Sequence, residues 1–175
     1  MFTALALLVA PTASPLHADV GEVRDLSIHM SNAIVSDPLR MAEPARIIPG
    51  TIVDYSVDVT GPGTGSTTTT SFVLGDAIPQ HMSLFVGDLV SQGSGPVAFV
   101  EHDSGLQFAF SALSSTSDMI EFSDNGGKTF DYVPQPDVDG FDDRVTHIRV
   151  APRGNLLPVA HADSRFSLRY RMKVK

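Results

Sequence analysis

The amino-acid sequence predicts an all-β protein, an immunoglobulin-like antiparallel β-sandwich of about nine or ten strands. Three observations lead there. Short runs in which apolar and polar residues alternate recur along the chain, and that period of two belongs to half-buried strands. The 14 Gly and 12 Pro punctuate these runs with turns. Amphipathic patterns at helical spacing are scarce. A length of 175 residues with 42% hydrophobic composition suits one domain with a single buried core.

The elements follow in order. Phe2 to Ala10 is an apolar run followed by Pro11 and Pro15, and with a cleavage point after Ala18 it reads as a secretory signal over residues 1–18. The run is shorter than the ~18 residues needed to cross a bilayer. No basic residue precedes it, and no later stretch resembles a membrane span, so none is expected after signal removal. The domain proper is then 19–175.

Leu26 to Met30 opens it as a first short strand, and Ser36 to Pro49 is a proline-bearing connector. From Ile52 to Val59, Val53, Tyr55, Val57 and Val59 alternate with Asp54, Ser56 and Asp58, giving one buried and one wet face. Gly61 to Ser66 is a loop, and the Thr67–Thr70 run leads into a strand ending at Leu74. Further strands are expected over Met82–Leu89, Val97–Glu101, Leu106–Phe110, Met119–Ser123, Thr129–Val133 and Val145–Val150.

The final segment has the clearest alternation. Phe166, Leu168, Tyr170, Met172 and Val174 face one way, while Arg169, Arg171, Lys173 and Lys175 face the other. Basic side chains on one face suit a guarded edge strand. The same feature makes strand 166–175 the candidate surface for self-association or a protein partner.

Charge bounds the function. The net charge of −8 disfavours nucleic acid, whose phosphates need a basic surface. The charge is also unevenly spread. Residues 1–143 hold 4 basic and 19 acidic side chains, whereas residues 144–175 hold 8 basic and 1 acidic. Such a chain pairs its two halves within one fold or presents opposite faces to neighbours. The absence of Cys removes disulfides, thiol catalysis and thiolate metal sites.

The stretch Ile48-Pro49-Gly50-Thr51 through Val59-Thr60 resembles the opening of a bacterial cell-surface repeat domain of unknown function. Gly75-Asp76-Ala77-Ile78-Pro79 through Leu84 is similar to that family's next landmark. Phe141-Asp142, Ile148 to Gly154 and Phe166 to Lys175 resemble the tail of its single-copy, secreted proteobacterial form. The resemblance spans roughly residues 28–175. It implies structural or adhesive work at a bacterial surface and carries no catalytic residue with it.

Two constellations stand out. Ser123-Asp124-Asn125-Gly126-Gly127-Lys128-Thr129-Phe130 is similar to an Asp-box hairpin with Asn125 at the Asp position. Its side chain bonds its own backbone, a Gly adopts positive φ, and an aromatic packs the turn. In sialidase-like propellers such boxes are repeated scaffolding; here there is one. The second is Gln135 to Asp143, in which Asp137, Asp139 and Asp143 occupy the third, fifth and ninth positions of a calcium loop and Gly140 its turn. The first position is Gln135 and the twelfth Thr146, where a carboxylate normally stands. The competing reading is an acidic surface loop that partners Arg144, Arg149 or the basic strand.

His29, His81, His102, His147 and His161 show no paired ligand spacing, and no nucleophile elbow or Ser-x-x-Lys motif is present. Carboxylate pairs for glycoside chemistry are defined by their separation in space, which a sequence does not give. No cofactor other than calcium is suggested. The expectation is a secreted, periplasmic or cell-surface protein with a structural or adhesive role and no identifiable catalytic site. The alternative is a calcium-assisted binding module for carbohydrate or a surface protein.

Overall fold

The computed structural model describes residues 26–39, 46–61, 72–156 and 164–175. The expected signal segment 1–18, the Gly61–Ser66 loop beyond Gly61, the Thr67–Thr70 run and His161 lie outside them. Among the described residues there is no helix, and the strands are β1 (Ser27–Ser36), β2 (Ile52–Thr60), β3 (Leu74–Ala77), β4 (Met82–Phe85), β5 (Ala98–Val100), β6 (Leu106–Gln107), β7 (Ile120–Ser123), β8 (Phe141–Asp142), β9 (His147–Val150), β10 (Arg153–Gly154) and β11 (Arg165–Val174). Every pairing between these strands is antiparallel.

The main sheet runs β1-β2-β11-β4-β8, with β5 also paired to β11. A three-stranded sheet, β3-β9-β7, forms the second layer, and β10 pairs with β6 in a small ribbon. The layers share one apolar core. Val53, Val57, Val59, Phe166, Leu168, Tyr170 and Met172 come from the main sheet, and Ile120, Phe122, Ile148 and Val150 from the second. Burying each such side chain contributes roughly 1.5–3 kcal/mol. The protein is therefore an all-β sandwich of packed antiparallel sheets.

β11 is where sequence alternation and structure agree most closely. Phe166, Leu168, Tyr170 and Met172 are at most 2% exposed. They lie opposite Val59, Val57, Tyr55 and Val53 of β2. Tyr55 and Tyr170 stack with centroids 6.0 Å apart and planes 9° from parallel. Phe99 of β5 stacks on Phe166 at 5.6 Å.

One expectation is overturned. Strand 166–175 is not an edge. β2 occupies one side of β11 along nearly its full length, while β5 and β4 divide the other, at Ser167–Arg169 and Met172–Val174. Its main-chain groups are committed to neighbouring strands, so a partner cannot add to it by strand pairing. The basic side chains serve a different purpose from edge protection: they neutralise acids of the same chain.

Other boundaries shift for local reasons. The first strand extends to Ser36 rather than Met30, because β2 supplies a pairing template as far as Ile52. Thr129–Val133 forms only an isolated bridge between Tyr132 and Phe122. The run Met82–Leu89 stops as a strand at Phe85; the register with Phe141-Asp142 runs one step further, through Val86 N–H to the Gly140 carbonyl, and ends at that turn glycine. Phe141-Asp142, read from sequence as loop, pairs with Phe85 and Leu84 as β8.

Candidate functional site

The acidic loop from Gln135 to Asp143 and the outer face of β11 meet on one side of the main sheet, and this is the most highly charged region described. Asp54 on β2 lies opposite Arg171 in the register. Its carboxylate accepts from Arg169 Nη1 at 2.5 Å and from Arg171 Nε at 2.6 Å, with a second Arg171 contact at 3.0 Å. The Asp54 side chain is only 12% exposed. Burial opposes its ionisation, yet the bonds and charges of Arg171 and Arg169 outweigh that and hold it below the usual carboxylate range. Four residues along β2, Asp58 accepts from Ser167 Oγ at 2.6 Å.

The pattern continues into the loop. Asp137 Oδ1 accepts the amides of Asp139 and Phe141 at 2.9 and 2.8 Å, closing an Asx turn at Gly140, whose φ is +85°. Lys173 Nζ lies 3.4 Å from both Asp137 and Asp139, and 4.3 Å above the Phe141 ring. Asp143 is exposed, and what binds there is its main-chain carbonyl, 3.1 Å from Lys175 Nζ. The three nominated carboxylates are thus not gathered around a common point. Two converge on an ammonium group, while at the third residue it is the main chain, not the carboxylate, that meets a lysine. Among the described residues, no group of three or more His, Asp or Glu side chains is arranged to hold a metal ion.

The side chain that organises this loop is one that sequence reasoning did not nominate. Asp142 is 3% exposed and accepts from Tyr132 Oη at 2.7 Å and from the amides of Gln135 and Arg144 at 2.6 and 2.9 Å. Burial, then the bond to Asp142 and its charge, push the Tyr132 hydroxyl up to about 12. Arg144 lies over the Tyr132 ring at 5.0 Å and bonds to Asp124 at 3.2 Å. A polar residue in an otherwise apolar strand pair, Phe141-Asp142, was the available signal.

The Asp-box-like turn holds the other end of this region. Ser123 Oγ donates to Asn125 Oδ1 at 2.9 Å and accepts the Gly127 amide at 3.0 Å. Asn125 Oδ1 accepts the Lys128 and Thr129 amides, both at 3.1 Å. Gly126 and Gly127 take φ values of +78° and +77°. A side chain at 127 would also press on the His147 ring, 3.2 Å from its Cβ position. The Ser123 hydroxyl and the Asn125 side-chain oxygen are consumed in making the turn, while Asp124 and the Gly126 amide reach out to Arg144 and Thr146.

The described histidines are scattered across the fold: His29 on β1, His81 before β4, His102 in a turn with φ +42°, and His147 on β9. A surface groove lies on the outer face of the main sheet, beside Ser56, Asp58, Val90, Val100, Ser167 and Arg169. Of its charged groups, Asp58 pairs with Ser167 and Arg169 with Asp54. No helix among the described residues is long and apolar enough to cross a membrane.

The arrangement suits cross-strand neutralisation and turn locking. No protein-family profile matches the chain, and no curated protein and no solved structure is significantly similar to it.

Proposed function

We propose that this protein is a secreted or cell-envelope structural or adhesive β-sandwich, acting as a self-contained module rather than a catalyst. One observation carries the reading: the acidic body and basic tail of the chain neutralise each other across β2 and β11, where Asp54 joins Arg169 and Arg171. The loops are locked in the same economical way, by carboxylates and amides that accept backbone N–H groups. A frame held by ion pairs and hydrogen bonds, in a sequence without cysteine, suits a module exposed to variable surroundings. The apolar segment before Ala18 and the resemblance of Ile48–Thr60, Gly75–Leu84 and the tail to a bacterial surface domain support export.

The test is where the protein is found. An epitope-tagged full chain expressed in its own cells should appear in periplasmic, surface or culture fractions, shortened at its N-terminus by mass spectrometry. Deleting the gene should weaken attachment or envelope integrity. A full-length, unprocessed protein confined to the cytoplasm would overturn the proposal.

A further inference from the structure

β1 lacks the protections usual on edge strands. It is ten residues long and contains no Lys, Arg, Asp, Glu, Pro or Gly. One side pairs with β2; among the described residues, nothing pairs with the other. The only register irregularity falls between Ile34 and Ser36, so the strand is unbroken from Ser27 to Ile34. Such an edge is a template for another strand.

The strand also extends beyond the second layer. Ile28, Met30 and Ile34 lie opposite Val59, Val57 and Val53, which places them on the core face of the sheet. Val57 and Val59 are 1% and 0% exposed, yet Ile28 and Met30 remain 55% and 52% exposed. An apolar shelf thus continues outward from the core, uncovered by any strand among the described residues.

We propose that β1 pairs antiparallel with β1 of a second copy, joining two main sheets into one across a two-fold axis at Ser31. That register sets Ile28 opposite Ile34, Met30 opposite Asn32 and His29 opposite Ala33, and keeps each side chain on its own face. Because the strand carries no formal charge, self-pairing opposes no like charges. Like charge is met only at the ends of the pair, where Asp25 and Asp37 flank the strand in the sequence; the acids on β2 of the two copies are three strand spacings or ~14 Å apart, beyond the ~8–10 Å over which exposed charges act at ordinary salt. Asp54 among them is already neutralised by Arg169 and Arg171. Pairing consumes the one free side of β1, so the assembly closes at two copies.

Size sets the strength. Ten residues at ~3.4 Å each, across a layer ~10 Å thick, give roughly 340 Å² per copy, well under the ~800 Å² of a standard interface. The dimer is therefore weak and concentration-dependent. The acids that flank the strand, Asp25 and Asp37, add repulsion at its ends, and salt relieves it.

Sedimentation velocity on the full chain tests this. The expected result is a monomer on dilution and a dimer at high concentration, with the midpoint at lower protein concentration in high NaCl than in low. Met30→Lys should give monomer throughout while melting as the wild type does, since Met30 is half exposed. In a chain without native cysteine, Ser31→Cys should form a disulfide-linked dimer under mild oxidation much faster than Val138→Cys, at a fully exposed site on another loop. A wild type that stays monomeric at every concentration overturns the proposal, as does a dimer that Met30→Lys leaves intact. If Met30→Lys impairs folding, the cysteine pair decides alone: equal crosslinking at 31 and 138 refutes the two-fold at Ser31.

Discussion

Asp118 accepts four hydrogen bonds, from the amides of Ser111 and Ala112 at 2.8 and 3.1 Å and from the hydroxyls of Ser111 and Ser115 at 2.6 and 2.8 Å. Partial burial acts to raise its affinity for a proton, but the bonds prevail and lower it to about 2. Asp88 does the same for the amides of Gly93 and Gly95, both at 2.9 Å, and its carboxyl too is held below the ordinary range. Such groups tie stability to pH in a definite direction. The unfolded chain has an ordinary carboxyl near ~3.9, so it takes up a proton before the folded chain does. Stability from Asp118 is complete above about pH 4 and is lost as pH falls toward about 2. Carbon-detected NMR should show this carboxyl titrating about two units below an ordinary aspartate. Melting curves of Asp118→Asn should be lower than wild type at neutral pH and converge with it near pH 2. Equal melting temperatures at pH 7 would show that the loop does not depend on this anion.

At the scale of elements, the loop and the terminal strand show how much could be read from sequence. The alternation from Phe166 to Val174 specified a strand, its buried face and its basic face, because a period of two maps directly onto the two sides of a sheet. It did not specify neighbours. Whether a strand is central or peripheral depends on pairings with residues far away, here Val53 to Thr60 and Ala98 to Val100. The Asp-box-like turn was legible down to its hydrogen bonds, since Ser123, Asn125 and Thr129 contact one another within seven residues. The calcium-like spacing of Asp137, Asp139 and Asp143 was legible in the sequence, but spacing records neither the direction of a side chain nor the arrival of Lys173 from β11. A mobile ion would have to displace that ammonium and make up for the neutral Gln135 and Thr146. Adding Ca²⁺ at ~5 mM should therefore leave the melting temperature unchanged, since only an ion bound by the native state raises it. A reproducible rise abolished by Asp137→Ala would establish a site.

Over the whole molecule, the residues that come last in the chain occupy the middle of its main sheet. β11 joins β2 to β4 and β5, contributes Phe166, Leu168, Tyr170 and Met172 to the core, and carries the cations that neutralise Asp54, Asp137 and Asp139. Tyr170 extends this role to the second layer, where its hydroxyl donates to Asp76 on β3; burial and that carboxylate push the phenol well above its ordinary range. Without β11, the pairing side of β2 would face solvent and β4 and β5 would lose their only link to β1 and β2. Most of these contacts close long loops, which makes folding late and cooperative. Removing residues 165–175 should therefore abolish the fold rather than weaken it. Circular dichroism of the truncated chain should show no cooperative melting, and hydrogen exchange should find no protected amides in β2. A cooperative transition in that chain, even at a lower temperature, would mean that the sandwich can form around a missing centre. Protected amides confined to Ile120–Val150 would instead show that the second sheet, with its Glu121–Arg149 pair, is a separate folding unit.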